Sequence, residues 1–190
     1  GGASNQITVT FTGTREPALG NIVINEIMFR GAVADSEYLE LFNQATNTTF
    51  DLSDWRVNGL DYTFPEGSII GPRSFLVIAK NRSVFAVRYG IAVSVFDESS
   101  GDLQVNGETI SLLDATGAII DRVRYEPSLP WPATANGTGS SYQLIDARQE
   151  NARAGNWFSS YVPPVLSGGV STPAQTNAGW RFASMTGNIG

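Results

Sequence analysis

The segment Leu52-Ser-Asp-Trp-Arg-Val-Asn-Gly-Leu-Asp-Tyr-Thr-Phe64 carries the clearest indication of the fold. It contains two apolar runs, Leu52–Val57 and Leu60–Phe64, joined by the pair Asn58-Gly59. Asn and Gly both tolerate the positive φ of a type I′ turn, so this pair between apolar runs predicts a β-hairpin. The two-residue alternation places Trp55 on the apolar face of the first strand, which predicts a core position for it.

Short alternating segments of the same kind lie on both sides of the hairpin, separated by turns rich in Gly and Pro. The predicted strands outside the hairpin are Ile7–Thr12, Ile22–Phe29, Glu37–Phe42, Ile69–Ile70, Phe75–Ala79, Glu108–Leu113, Ala118–Tyr125 and Ser140–Ile145. The side chains expected between two sheets are Leu39, Leu41, Trp55, Phe64, Leu76, Ile78, Leu112 and Ile120. Asn81–Tyr89 is the one predicted helix, because Asn81 can cap its first turn and Gly90 can end it. About nine or ten short strands with one helix indicate an all-β sandwich or barrel.

The composition excludes several kinds of chemistry. Among 190 residues there is no Cys and no His, which removes thiol nucleophiles, Ser-His-Asp triads and ordinary zinc sites. The net charge is −6, and the 12 basic residues are mostly isolated in the sequence. We therefore expect no nucleic-acid partner, since such proteins carry a basic patch. We also expect no cofactor. No direct membrane insertion is expected either, because no run of about 20 apolar residues exists.

The sequence divides into three parts by composition. Residues 1–20 are predicted to form an N-terminal strand and a linker that contains Pro17. Residues 21–160 hold the predicted β-sandwich domain. Residues 161–190 open with a Pro/Gly-rich, nearly uncharged linker and end in an apolar stretch, which indicates the start of a following domain.

Several motifs follow one another in the order seen in lamin-tail domains, and the chain resembles that family from about Asn21 to Ser159. The motifs are Ile22-Val-Ile-Asn-Glu-Ile27, Glu37-Tyr-Leu-Glu-Leu-Phe-Asn43, Asp51-Leu-Ser-Asp-Trp-Arg-Val57, Tyr62-Thr-Phe-Pro-Glu-Gly67, Ser74-Phe-Leu-Val-Ile-Ala79, Ile110-Ser-Leu-Leu-Asp114, Ile119-Ile-Asp-Arg-Val123, Pro130-Trp-Pro132 and Asn156-Trp157. The resemblance implies an immunoglobulin-like β-sandwich with one short helix. It transfers no catalytic residue, since the family has none to transfer.

The resemblance also implies a role. Bacterial relatives look like accessory modules on secreted or surface proteins, so we expect an extracellular or cell-surface location in a bacterium. The leading hypothesis is a non-catalytic module that binds a protein partner or attaches to a cell-surface component. The alternative is a carbohydrate-binding module, with or without calcium, that serves a neighbouring enzyme domain. A hydrolase is a weaker third hypothesis.

The hydrolase hypothesis depends on Glu26 and Glu40. Alternation places Glu26 on the face of Ile22, Ile24 and Met28, and Glu40 on the face of Tyr38 and Phe42. If the two strands pair, neighbouring carboxylates would raise one pKa and could act as acid and base. The preferred interpretation is a structural charge network in which Arg30 or Arg56 neutralises the two acids.

Trp131 is the candidate contact for a ligand or partner. Pro130 and Pro132 cannot donate to a strand ladder, so Trp131 is expected in a loop or at an edge. There it could cover one end of the sandwich, which is the preferred interpretation, or stay exposed and stack on a sugar.

A loop is predicted after the helix, and it contains Asp97, Glu98 and Asp102. Their oxygens could bind calcium, but the spacing of an EF-hand loop is missing. A solvated turn is the preferred interpretation, and folding is expected to need no divalent metal.

Overall fold

The computed structural model describes residues 16–90 and 93–160, with the backbone alone at residue 160. The predicted strand Ile7–Thr12 and the segment 161–190 lie outside the described residues. The described strands are β1 Ile22–Met28, β2 Tyr38–Asn43, β3 Phe50–Asp51, β4 Arg56–Asn58, β5 Tyr62–Thr63, β6 Ile69–Ile70, β7 Phe75–Ala79, β8 Val95–Glu98, β9 Glu108–Leu113, β10 Ile119–Tyr125, β11 Ser141–Leu144 and β12 Trp157–Ser160. The α-helix α1 spans Arg82–Tyr89, and short 3-10 helices span Ala133–Ala135 and Ala154–Asn156.

The strands form an immunoglobulin-like β-sandwich, which confirms the predicted fold class. The first sheet has six strands in the order β12-β11-β1-β2-β7-β8, and the second has four in the order β10-β9-β4-β5. A small two-stranded sheet joins β3 to β6. The pairs are antiparallel except β7 with β8, which run parallel because α1 carries the chain back between them.

The core lies between the two large sheets. All the side chains expected there from the sequence are buried: Leu39, Leu41, Trp55, Phe64, Leu76, Ile78, Leu112 and Ile120. They belong to one continuous cluster that also includes Trp131, Tyr142 and Trp157. Strand alternation therefore identified these eight core residues correctly.

The central hairpin exists, but two details of its prediction were wrong. The run Leu52–Val57 is not one strand, because only Arg56–Asn58 belongs to the second sheet. Asn58 and Gly59 do not form a two-residue type I′ turn. Val57 pairs with Tyr62, so the loop between them holds four residues. Positive φ occurs at Gly59 and Asp61 rather than at Asn58.

Three strands lie outside the predicted ones: the two-residue β3, which pairs with β6, and the four-residue β8 and β12. β8 contains Asp97 and Glu98, which had been assigned to a loop. β12 follows the strand that was predicted to be the last, and it pairs with β11 at one edge of the first sheet. Both are four-residue strands whose sequences, Val-Phe-Asp-Glu and Trp-Phe-Ser-Ser, lack a clear two-residue alternation.

The helix α1 packs on the outer face of the first sheet. Its predicted caps are confirmed: the Asn81 side chain accepts hydrogen bonds from the N–H groups of Ser83 and Val84, and the helix ends at Gly90 with φ of 92°. Phe85 and Tyr89 are its buried residues. They join a second apolar cluster made of Met28, Tyr38, Val77, Ala79, Phe85, Tyr89 and Val95. The first sheet is thus covered on its outer face as well, at β1, β2, β7 and β8.

A carboxylate ties the two large sheets together. β1 has a bulge between Ile24 and Glu26, and β10 has one between Ile119 and Asp121. At the first bulge the N–H of Ile24 donates across the sandwich to Asp121 Oδ2 at 2.6 Å. The same oxygen accepts from Asn151 Nδ2 at 2.6 Å. This contact fixes the position of β10 relative to β1.

Burial raises the pKa of Asp121 above its usual value of 3.8, although the N–H donors of Ile24 and Arg122 act in the opposite direction. Desolvation of the charged form therefore outweighs the hydrogen bonds that favour it.

Removal of the Trp55 ring tests the core. Trp55 is 6% exposed, so Trp55→Ala is expected to lower the free energy of unfolding by about 3–5 kcal/mol, since it creates a large cavity. Urea denaturation measures this. Val87→Ala is the control, because Val87 is 88% exposed and its loss should change stability by less than about 0.5 kcal/mol. An unchanged midpoint for Trp55→Ala would contradict the core assignment.

Titration of Asp121 tests the tie between the sheets. A carboxyl whose pKa is raised by folding contributes stability that is fully present below the unfolded-state pKa, near 3.8, and is lost as pH rises through the folded-state pKa. Asp121→Asn removes this titration and keeps an oxygen that can accept from Ile24. The free energy of unfolding of the wild type minus that of the variant should therefore fall as pH increases above 3.8. A difference that is constant with pH would contradict the assignment.

Candidate functional site

Glu26 and Glu40 lie side by side, as the sequence suggested. They are directly opposite each other on β1 and β2. Both are buried, Glu26 at 1% and Glu40 at 7% exposure. The face predicted for Glu26 was wrong, however. The bulge in β1 reverses the alternation, so Ile22 and Ile24 face the main core while Glu26 joins Met28 on the outer face.

Neutral donors surround the carboxylate of Glu26. Its Oε1 accepts from the hydroxyls of Tyr38 and Ser141 and from Gln143 Nε2 at 3.1 Å. Tyr38 is 3% exposed, and its burial, followed by the negative charge of Glu26, raises the pKa of its phenol well above 10.0. Tyr38 therefore stays protonated and remains a donor to Glu26 at any physiological pH.

Glu40 receives a hydrogen bond from within the bulge. Asn25 Nδ2 donates to Glu40 Oε1 at 2.7 Å, and Asn25 is the extra residue that the bulge inserts into β1. Beside Glu40 lies a cavity of about 210 Å³, whose lining includes Arg73, Ser74 and Phe75. The Arg73 guanidinium also lies over the ring of Phe42, 4.9 Å from its centre.

This geometry favours a structural role for the acid pair. General acid–base chemistry on a glycosidic bond needs two carboxyls that reach the substrate from opposite sides. Glu26 is enclosed by the first sheet and accepts three donors that would compete with a substrate. Buried carboxylates that receive several hydrogen bonds are typical of structural networks as well as of active sites.

The two arginines proposed as neutralising cations lie elsewhere. Arg30 follows the end of β1, and its Nη1 donates to Asn136 Oδ1 at 2.9 Å. Arg56 belongs to β4 in the second sheet and is exposed. In β4, side chains alternate between core and solvent, and Arg56 lies on the solvent side. The donors to Glu26 are hydroxyl and amide groups, not the cations predicted from the sequence.

Trp131 is buried in the main core rather than exposed. It is 4% exposed, and its ring packs 5.0 Å from Tyr142 and 5.6 Å from Trp157, between ring centres. The ring therefore covers the core, which is the preferred one of its two expected roles, and cannot stack on a sugar in this structure. The candidate ligand contact at Trp131 is withdrawn for that reason.

The acidic residues after α1 have structural contacts within the domain. Asp97 lies in β8 and accepts from the hydroxyl of Tyr62 at 2.9 Å. Glu98 accepts the N–H of Arg82 at 2.6 Å, at the start of α1. Asp102 forms a salt bridge with Lys80 at 2.7 Å. Within residues 16–90 and 93–160, no three His, Cys, Asp or Glu side chains are grouped to hold a metal ion.

A group of arginines on the second sheet was missed. The outward-facing strand residues of that sheet are Arg56, Asn58, Thr63, Thr109, Ser111, Leu113, Ile119, Arg122 and Arg124. Three of these are cations and none is a carboxylate. We call this surface the arginine face.

Strand pairing brings the arginines of this face together. Arg122 is opposite Ser111 on β9, and Arg56 is opposite Leu113 on the same strand. At about 4.8 Å between strands and 3.4 Å per residue, Arg56 and Arg122 are based about 12 Å apart. Basic residues that are isolated in the sequence therefore share one face of the fold, and the expectation that there is no nucleic-acid partner stays a prediction. The alternation Arg122-Val-Arg124 was the one signal in the sequence.

The comparison with known families agrees with this architecture. A family model described as Lamin Tail Domain matches residues 15–127. The chain belongs to the lamin tail domain family. In this lamin tail domain the match includes β1 to β10 and ends just after the arginine face. The comparison with curated proteins gave no match. Across the described ranges, no helix has the length and apolar character needed to cross a membrane.

A double-mutant cycle tests the structural role of Glu26. Glu26→Gln replaces an acceptor oxygen with an amide, and Tyr38→Phe removes one of its donors. The two substitutions are expected to couple by about 0.5–3 kcal/mol in the free energy of unfolding, because they affect the same hydrogen bond. Urea denaturation of the four proteins measures the coupling. Glu66→Gln, at an exposed turn, is the matched control and should show no coupling with Tyr38→Phe. Strict additivity for Glu26→Gln would contradict the assignment.

Proposed function

We propose that this lamin tail domain is a non-catalytic module that binds a protein partner, within a larger secreted or cell-surface bacterial protein. The observation that carries the proposal is the arginine face. Arg56, Arg122 and Arg124 are exposed there on strands whose other faces are fixed in the core. Arginine is enriched at protein interfaces, because its planar guanidinium forms paired hydrogen bonds to carboxylates and stacks on other side chains.

The use of the acids supports a role without catalysis. Glu26 and Asp121 are each held by hydrogen bonds inside the domain, and Asp102 by a salt bridge. Each of these contacts contributes to the fold, so none of these carboxylates is set aside for chemistry on a substrate.

The positions of the aromatic rings favour protein over carbohydrate. Sugar binding commonly uses an exposed flat ring. Trp55, Trp131 and Trp157 are buried, at 6%, 4% and 3% exposure. The carbohydrate alternative therefore lacks a tryptophan platform in the described part of the chain.

The net charge of the chain limits the class of partner that the arginine face can bind. The whole chain has a net charge of −6, which repels long polyanions such as nucleic acids. A short acidic segment of a protein can approach the arginine face without meeting the rest of this negative field, because charges in water are screened over about 8–10 Å.

Parallel peptide and glycan arrays test the proposal. The domain is expected to bind a subset of acidic peptides and no glycan. Arg56→Glu should weaken the peptide binding about tenfold or more, since it reverses a charge in the contact surface. Arg73→Glu is the matched control, because it makes the same change in net charge in the turn between β6 and β7, outside the second sheet. Saturable binding to a glycan, with no peptide bound, would overturn the proposal in favour of the carbohydrate alternative.

A further inference from the structure

The edges of the two large sheets differ in how they are protected. The four-residue β12 ends the first sheet at one edge. β8 ends it at the other, and the guanidinium of Arg82 donates to the carbonyls of Val95 and Phe96 at 3.1 and 3.2 Å. That edge is therefore capped by a side chain. β5 ends the second sheet with only two residues, which is too short to pair with another chain.

β10 is the longest edge strand in the described part of the chain. It spans seven residues and ends the second sheet, with β9 as its one hydrogen-bonded neighbour. Its first half also lies against β1, where Asp121 accepts the Ile24 N–H. An edge strand presents unpaired N–H and C=O groups that another extended chain can bind. The N–H of Arg122 already donates to Asp121 Oδ1 at 2.8 Å. A new strand would therefore pair mainly with the backbone of the residues that follow Arg122 in β10.

The core holds β10 in the conformation that such binding needs. Val123 and Tyr125 are both 0% exposed, and the hydroxyl of Tyr125 donates to the carbonyl of Gln104 at 2.7 Å. Asp121 fixes the other end of the strand to β1. A strand that is already rigid loses little conformational entropy when a partner pairs with it, which favours binding.

The outward side chains of β10 define the charge of a matching strand. Arg122 and Arg124 are two residues apart and share one face, so their bases lie about 6.8 Å apart. Arg124 forms a salt bridge with Glu126 at 2.7 Å. Arg122 has no carboxylate within 4.0 Å among the described residues, which leaves its charge available. Opposite charges on neighbouring strands stabilise their pairing.

We propose that β10 accepts an extended acidic segment of a partner protein as a fifth strand of the second sheet. Carboxylates at alternate positions of that segment would face Arg122 and Arg124, and its backbone would pair with β10. This inference rests on the proposed function and names the chemistry of the partner. Ile119, which is 48% exposed at the start of β10, adds apolar contact at one end.

A second copy of the chain fits this edge less well. If two β10 strands paired about a two-fold axis, Arg122 and Arg124 of one copy would lie close to the same residues of the other. Like charges on facing strands destabilise a sheet. The arginines therefore act against self-pairing and in favour of an acidic partner.

Synthetic eight-residue peptides test the proposal in a fluorescence anisotropy titration. The first alternates Glu with Val, the second replaces each Glu with Lys, and the third is the Glu peptide with alternate backbone nitrogens methylated. Methylation leaves the charge and removes the N–H groups that pair with an edge strand. The Glu peptide should bind, the methylated peptide should bind about tenfold more weakly or worse, and the Lys peptide should not bind.

Variants of the domain locate the site. Arg122→Glu should weaken the binding of the Glu peptide about tenfold or more. The affinity of Arg73→Glu, which has the same net charge, should stay within about twofold of that of the wild type. Circular dichroism confirms that each variant is folded. Equal binding of the Glu and methylated peptides, no effect of Arg122→Glu, or no binding of the Glu peptide at millimolar concentration would each overturn the proposal.

These outcomes distinguish a failure of the proposed strand pairing at β10 from a failure of the proposed protein-binding function. If array peptides bind and respond to Arg56→Glu but not to backbone methylation or Arg122→Glu, protein binding stands and edge pairing fails. If the domain binds only glycans, both fail.

Discussion

The hydrogen bond from the Ile24 N–H to Asp121 is the contact on which the arrangement of the domain depends. It joins the two sheets at the point where each has a bulge. In a strand, a shift of one residue moves every later side chain to the other face. The bulge in β1 therefore turns Glu26 outward, and the bulge in β10 points Asp121 inward and Arg122 to solvent. The two bulges that meet at this contact therefore decide the faces on which Glu26, Asp121 and Arg122 lie.

This division explains how an acidic domain can offer a cationic surface. In the first sheet, β1 and β2 are covered by the main core on one face and by the cluster around α1 on the other, so Glu26 and Glu40 are used for internal hydrogen bonds. The second sheet has a covered inner face and an open outer one. Its outward strand residues carry the arginines, and its β10 edge is rigid. Function is therefore proposed for the sheet that the fold leaves uncovered.

The sequence was a good guide to the strands, the core and the capped helix, because each depends on local pattern. It could not reveal the bulges, since an extra residue in a strand changes no residue type and leaves the alternation ambiguous. Glu26 was consequently assigned to the wrong face. The arginine face was missed because Arg56 and Arg122 are far apart in the sequence. They share a face only because β4 and β10 both pair with β9. Trp131 illustrates a third limit, since the flanking prolines predicted a loop but not the direction of its ring.

The central claim is that the β10 edge of the second sheet, and not the acid pair of the first, is where this lamin tail domain meets its partner. Hydrogen–deuterium exchange of the domain, with and without a saturating concentration of the alternating Glu/Val peptide, tests this most directly. We expect new protection of backbone amides concentrated in Ile119–Tyr125, with the exchange of Ile22–Met28 and Tyr38–Asn43 unchanged. Protection confined to those two strands or to α1, with β10 exchanging as before, would contradict it.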